Sequence, residues 1–183
     1  MEYYIDVTIL PDPEFPSSVL LNFFYSKLHK ALYDMGSKNI GVSFPKYSIT
    51  LGNLIRLHGT NSDLEQLGIS KFVGSMISYV QISEIKKVPS NVRHRIISRK
   101  QPTLSQAKLR RLIKRGSIKE NEISNYEGRR LTEKQEGPYI DLISNSNGQR
   151  HRRYITFGPF LDEPTRGNFD FFGLSKEATI PWF

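Results

Sequence analysis

Over residues 1–85 the hydrophobic period switches between strand and helix spacing in a fixed order, and that order constrains the fold most. Tyr3, Ile5, Val7 and Ile9 share one face of a strand over 3–10, stopped by the proline-rich turn 11–16. Ser17 or Ser18 is placed to cap a helix that runs to about Met35 and closes at Gly36. Leu20, Leu21, Phe24, Leu28, Ala31 and Leu32 form its buried arc, with His29 at the edge. Short strands over 39–44 and 54–58 follow. Ser62-Asp63-Leu64-Glu65 has the form of a capping box opening a second helix, and 76–85 alternates as a last strand.

The resulting β-α-β-β-α-β order is the split βαβ, or ferredoxin-like, pattern of an α+β protein. It predicts a ferredoxin-like (RRM-like) domain over 1–87, a linker across 86–91 containing Pro89, and a second domain over 92–183. Many RNA-recognition modules share this topology. No aromatic-rich RNP-type strand stands out, however, so RNA stacking on the sheet face is not expected. In the second part, 92–99 reads as an extended segment carrying Arg93, Arg95 and Arg99. Ser117 to Glu120 resembles another capping box, opening a helix to about Arg130. Strands are expected at 139–144, 152–157 and 169–173. The first two make a hairpin whose tip holds Ser144, Ser146, Arg150, His151, Arg152 and Arg153.

Charge is concentrated in one place. Residues 86–119 hold 12 of the 26 Lys and Arg side chains and no Asp or Glu, while each flank sums to −2, so the net +8 comes from this window. Such a focused positive field is the usual footprint of a polyanion site. At its centre, Leu109, Leu112 and Ile113 fall on one arc of a helix over 107–115. Lys108, Arg110, Arg111, Lys114 and Arg115 fill the other arc. Ser105 is placed to cap it and Gly116 to stop it. Five cations on one face without an interleaved Glu favour nucleic acid over a merely solvated helix. The apolar arc is narrow and lacks the large aromatics of a membrane binder.

Absence of cysteine excludes disulfides, thiolate catalysis and Cys-based zinc sites. His29, His58, His94 and His151 have no ligand spacing, so neither a metal nor a cofactor is expected. No run approaches a membrane span, and the first residues lack the pattern of a signal peptide, which points to a cytoplasmic protein. On spacing alone, His29 is either a helix-edge residue closing the core or a functional imidazole. Ser144 and Ser146 are either turn serines or reactive-site hydroxyls.

An ordered set of short motifs resembles one family. Ile9-Leu-Pro-Asp-Pro-Glu-Phe-Pro16, Lys27-Leu-His-Lys-Ala-Leu32 and Ile40-Gly-Val-Ser-Phe-Pro45 come first. Ser98-Arg-Lys-Gln101, the 109–115 basic helix and Ser144-Asn-Ser-Asn-Gly-Gln149 follow, and Gly173-Leu-Ser-Lys176 and Pro181-Trp-Phe183 complete the set. Together they resemble the CRISPR repeat-processing endoribonucleases of type I-F systems.

The resemblance implies a ferredoxin-like N-terminal domain and a smaller C-terminal α/β domain that supplies the arginine-rich helix. It also implies metal-independent cleavage of CRISPR precursor RNA at the base of each repeat stem-loop, by attack of a ribose 2′-hydroxyl on its own 3′-phosphate. The enzyme would be monomeric when free. It would then remain on the crRNA hairpin with the other subunits of the type I-F guided complex.

Within that resemblance, His29 matches the catalytic histidine, Ser144 the active-site serine and Ser146 its neighbour. Two positions depart from the pattern. Phe172 stands where the family carries a tyrosine, and His151 where it carries an aromatic that stacks on the end of the stem. Loss of the phenol leaves a weakly active or inactive hairpin-capping subunit as the alternative. Arg99 and Gln101 match the pair that reads base edges, and Lys108, Arg110, Arg111, Lys114 and Arg115 match the phosphate-binding helix. An unrelated nucleic-acid-binding protein, with His29 and Ser144 structural, is the third reading.

Overall fold

The computed structural model describes residues 1–100, 106–118, 122–123, 137–143 and 148–183. It is a mixed α/β structure whose sheets are antiparallel throughout. Its main sheet has the order β2-β3-β1-β4, built from β1 (Tyr3–Ile9), β2 (Gly41–Ser43), β3 (Leu54–Gly59) and β4 (Val80–Ile82). Helix α1 (Ser17–Asp34) contributes Leu20, Leu21, Phe24, Tyr25, Leu28 and Leu32 to the core that also takes Ile5, Val7 and Ile9 from β1. Each such side chain, fully buried, is worth about 1.5–3 kcal/mol, so the expected arc is what locks helix to sheet.

Several local expectations are corrected. No serine caps α1: Ser17 is already helical and Pro16 precedes it without a side-chain bond. The capping box of α2 (Asn61–Leu67) is Thr60 with Asp63, because the shorter Asp carboxylate reaches back to the Thr60 backbone. Gly68, at φ 52°, separates α2 from α3 (Ile69–Val73). The alternation over 76–85 is misleading: 74–79 is a 3₁₀ turn, and only β4 is strand. Residues 86–87, expected in a linker, form β5 (Lys86–Lys87) on the edge of β1. The extended segment 92–99 divides in two, because β6 (Arg93–Arg95) and β7 (Ile97–Arg99) serve different sheets.

The remaining strands are β8 (Tyr139–Ile143), β9 (Arg150–Phe157) and β10 (Ile180–Trp182). β7, β9 and β8 form a three-stranded sheet, and β10, which periodicity did not predict, pairs with β6. Ile97, Ile140, Leu142, Ile155 and Leu174 join the core of the main sheet, so residues 1–99 and 137–183 make one compact unit.

Residues 100–136 make a second unit, containing α4 (Gln106–Lys114). In α4 Leu109 is buried, whereas Ile113, expected on the same apolar arc, is 47% exposed. Gly116 ends the helix at φ 64°, as its lack of a Cβ allows. Ser105 and most of the helix expected from 117 to 130 lie outside the described residues. Among the described residues no helix is long and apolar enough to cross a membrane.

Candidate active site

Residues 169–173, expected as a strand, form instead a tight turn that the site depends on. The Asp170 carboxylate accepts from the backbone N–H groups of Phe172 and Leu174, both at 2.9 Å, which curls the chain away from extended geometry. Gly173 sits at φ 68°, and a Cβ there would lie 2.3 Å from Val42 Cγ2. Its carbonyl accepts from Val42 N at 2.8 Å. Leu174 is buried beneath, and Ser175 N donates to the Ile97 carbonyl at 2.9 Å. Gly173-Leu-Ser175 therefore docks the turn on β2 and β7 and fixes where Phe172 points.

Helix α1 grips the same turn. The Tyr25 hydroxyl donates to the Phe172 carbonyl at 2.5 Å, and His29, one turn later, donates from Nδ1 to the Phe171 carbonyl at 2.8 Å. Burial, then the nearby Asp170 carboxylate, pushes the Tyr25 phenol well up, so it stays a donor. A carbonyl can only accept, so Nδ1 carries a proton, and in the neutral ring the lone pair is on Nε2. The Phe172 ring lies flat against the imidazole, centres 3.6 Å apart and planes 12° from parallel. The histidine is thus held by a backbone acceptor at one nitrogen and by an aromatic plate on its face.

The imidazole opens on a groove of about 780 Å³, lined by Lys30, Tyr33, His151, Arg153 and Phe172 among others. Strand register explains the last residues to arrive. His151 stands opposite Leu142, and Arg153 opposite Ile140, so both lie on the inward face of the β8–β9 hairpin. Arg152 lies on the other face, where its guanidinium forks onto Asp141 at 2.9 and 3.0 Å and stacks on Tyr139.

Of the residues expected from sequence, His29, Phe172 and His151 converge on this groove. Arg99 ends β7, opposite Ile155 of β9. Gln101, Ser144 and Ser146 lie outside the described residues. Arg110, Arg111, Lys114 and Arg115 are exposed in the second unit, and Lys108 belongs to α4. Two residues of the site were not taken as candidates from sequence: Tyr25, buried where it grips the turn, and Arg153, which lines the groove. Tyr25 was detectable only as a helix neighbour one turn from His29. Arg153 was one of three arginines in a row of four basic residues, and only the pairing register separates it from the others.

The family model for CRISPR-associated protein (Cas_Csy4) matches residues 4–183, and the chain belongs to that family. The resemblance read from the ordered motifs therefore holds. The chain is 35% identical over 184 residues to the CRISPR-associated endonuclease Cas6/Csy4 of Escherichia coli (strain UTI89 / UPEC), covering 100% of both chains. It is 34% identical over 187 residues to the protein of that name from Pseudomonas aeruginosa (strain UCBPP-PA14), again over 100% of both. A solved structure of Thermus thermophilus Cse3 bound to an RNA matches with a TM-score of 0.37 and 15% identity, covering 99% of this chain and 100% of that one. That likeness is too low for a shared fold to be read from it.

Proposed function

We propose that this protein is a metal-independent endoribonuclease that cuts CRISPR precursor RNA at the base of the repeat stem-loop and stays on the crRNA hairpin. The observation that carries the chemistry is His29, tied through Nδ1 to the Phe171 carbonyl with Nε2 left open beside the groove. Such a group can take the proton of a ribose 2′-hydroxyl. The 2′-oxygen then bonds to phosphorus and the bond from phosphorus to the 5′-oxygen breaks. The departing oxygen takes a proton from water, leaving a 2′,3′-cyclic phosphate and a 5′-hydroxyl. Holding the nucleophile in line supplies much of the barrier reduction, which is the role assigned to Ser144 and Ser146. Family membership and the names of the two relatives, both endonucleases, support the reading.

Binding divides by residue. Lys108, Arg110, Arg111, Lys114 and Arg115 take phosphates, Arg99 and Gln101 read base edges, and His151 stacks on the end of the stem. We read residues 1–87 as the ferredoxin-like domain, supported by the strand order β2-β3-β1-β4, and 92–183 as the RNA-binding domain. The protein works in the cytoplasm, monomeric when free and joined to other subunits of the type I-F complex when loaded.

A second reading, a capping subunit that binds without efficient cutting, is favoured by one observation: the ring stacked on His29 carries no phenol. One experiment separates the two. The purified protein and His29→Ala are incubated with a labelled repeat stem-loop in excess EDTA. Cutting to a cyclic phosphate that the variant loses supports the endoribonuclease. Tight binding without cutting supports the cap, and Phe172→Tyr is then the variant to make.

A further inference from the structure

Among the described residues, Arg153 has an aromatic ring beside its guanidinium but no anion. It is half-buried, its Nε is buried with no hydrogen bond, and it makes no ion pair among the described residues. Its neighbour Arg152, by contrast, is fully engaged with Asp141. Register places Arg99 diagonally across from Arg153 on the same sheet face, since Arg99 faces Ile155 two residues on. Burial first, and the Arg99 cation second, press the Arg153 guanidinium toward losing its charge, and Asp170 and Tyr25 offset this only in part. Two like charges diagonal to one another, one of them desolvated, are unfavourable unless an anion joins them.

The geometry also says where the anion would sit. The Arg153 guanidinium carbon lies 4.0 Å from the centre of the Phe172 ring, and the His29 imidazole 3.6 Å from it. Two flat groups that close cannot share one face. Phe172 therefore separates them, imidazole on one side and guanidinium on the other, both lining the same groove. Across the ring's edge, the 2′-oxygen and a non-bridging oxygen of a single phosphodiester can reach both groups at once.

We propose that Arg153 is a phosphate-binding residue of the active site, donating to the non-bridging oxygens of the phosphate at the cut while His29 receives the 2′ proton across the Phe172 ring. It rests on the endoribonuclease reading above for its substrate. Arg153 exchanges no proton. It binds the negative charge that grows on those oxygens as the fifth bond to phosphorus forms, and a guanidinium fork suits that geometry. Phe172 then acts as the spacer between base and cation, a task that needs a ring but no phenol.

The test has an arm that needs no cutting. Hairpins that end at the cleavage position in a 3′-phosphate or a 3′-hydroxyl are compared for binding to the wild type, Arg153→Met and Arg153→Lys. Methionine keeps the packing over Phe172 without the charge. The wild type is expected to favour the phosphate about tenfold. Arg153→Met should lose that preference, Arg153→Lys should keep part of it, and affinity for the 3′-hydroxyl hairpin should stay within about threefold in all three. Single-turnover cutting should fall about 10²-fold in Arg153→Met. An unchanged preference in Arg153→Met overturns the proposal, as does a wild type that shows none. If the wild type fails to cut yet the preference exists and depends on Arg153, the endoribonuclease reading fails and the phosphate site stands. If the wild type cuts, His29→Ala does not, and Arg153→Met matches the wild type in both arms, only this proposal fails.

Discussion

The groove on α1 and the inner strand β3 of the main sheet each hold a histidine with one ring nitrogen bonded at 2.8 Å, and the two are used in opposite ways. His29 donates to a backbone carbonyl and keeps its other nitrogen toward the groove. His58 on β3 is wholly buried, bonded through Nε2 to Ser43 Oγ, with Nδ1 buried and unpartnered. Burial first, then the Arg56 cation and the N-terminal amine, hold His58 down to about 3. Residue type is the same, so exposure decides the chemistry. A nitrogen that meets solvent can move a proton, and one sealed in the core can only be kept neutral.

The comparison breaks first at His29. Replacing it with alanine should slow single-turnover cutting about 10²- to 10⁴-fold while affinity for an uncleavable 2′-deoxy stem-loop changes less than threefold or so. Equal losses in rate and affinity would make His29 a structural residue like His58. Gly173→Ala strikes the support of the same site. Its Cβ would meet Val42 at 2.3 Å with φ at 68°, so stability should fall by about 2–4 kcal/mol and cutting with it, read by denaturation and rate together. A variant as stable as the wild type would remove the docking role given to the turn.

His58 is probed by acid. Its folded value of about 3 lies below the ordinary 6.5, so the unfolded chain binds the proton first. Its contribution is therefore present above pH 6.5 and is lost as pH falls toward 3, by about 1.4 kcal/mol per unit inside that window. Denaturant unfolding at several pH values should show this slope, and His58→Gln should flatten it whatever its effect at neutrality. An identical slope in the variant would mean that His58 is not held neutral.

The smallest effects belong to the exposed basic helix, where no packing amplifies a change. Arg111→Ala should weaken every stem and lower the salt slope by about one, while Gln101→Ala should mainly relax sequence choice. If both lose affinity equally across scrambled stems, positioning and readout are not divided between these residues.

How much of this could be read in advance varies with distance along the chain. The apolar arc of α1 needed only its own 18 residues, and its leucines and Phe24 are buried as spacing requires. The same rule misled at 76–85, where Gly74 at φ 56° opens a 3₁₀ turn that alternation cannot register. It misled again at 169–173, where a carboxylate two residues from Phe172 outbids strand propensity. His29, Phe172 and His151 were legible only through resemblance to known motifs. Arg153 was visible only as one of several residues at the hairpin tip, and neither it nor Tyr25 was a site candidate, because neither type nor spacing marks them.

By itself the sequence determined the order of elements in the first half, the buried face of α1, the position of the basic helix and the family. These follow from patterns confined to a few turns or strands, or from motifs matched in order. Tertiary structure alone decided that the Phe171 carbonyl, 142 residues away, fixes the tautomer of His29. It also decided that Phe172 lies between an imidazole and a guanidinium, and that Arg153 rather than Arg152 faces inward. Those outcomes depend on strand register and on where a turn docks, and both are set by the packing of segments that no local pattern relates.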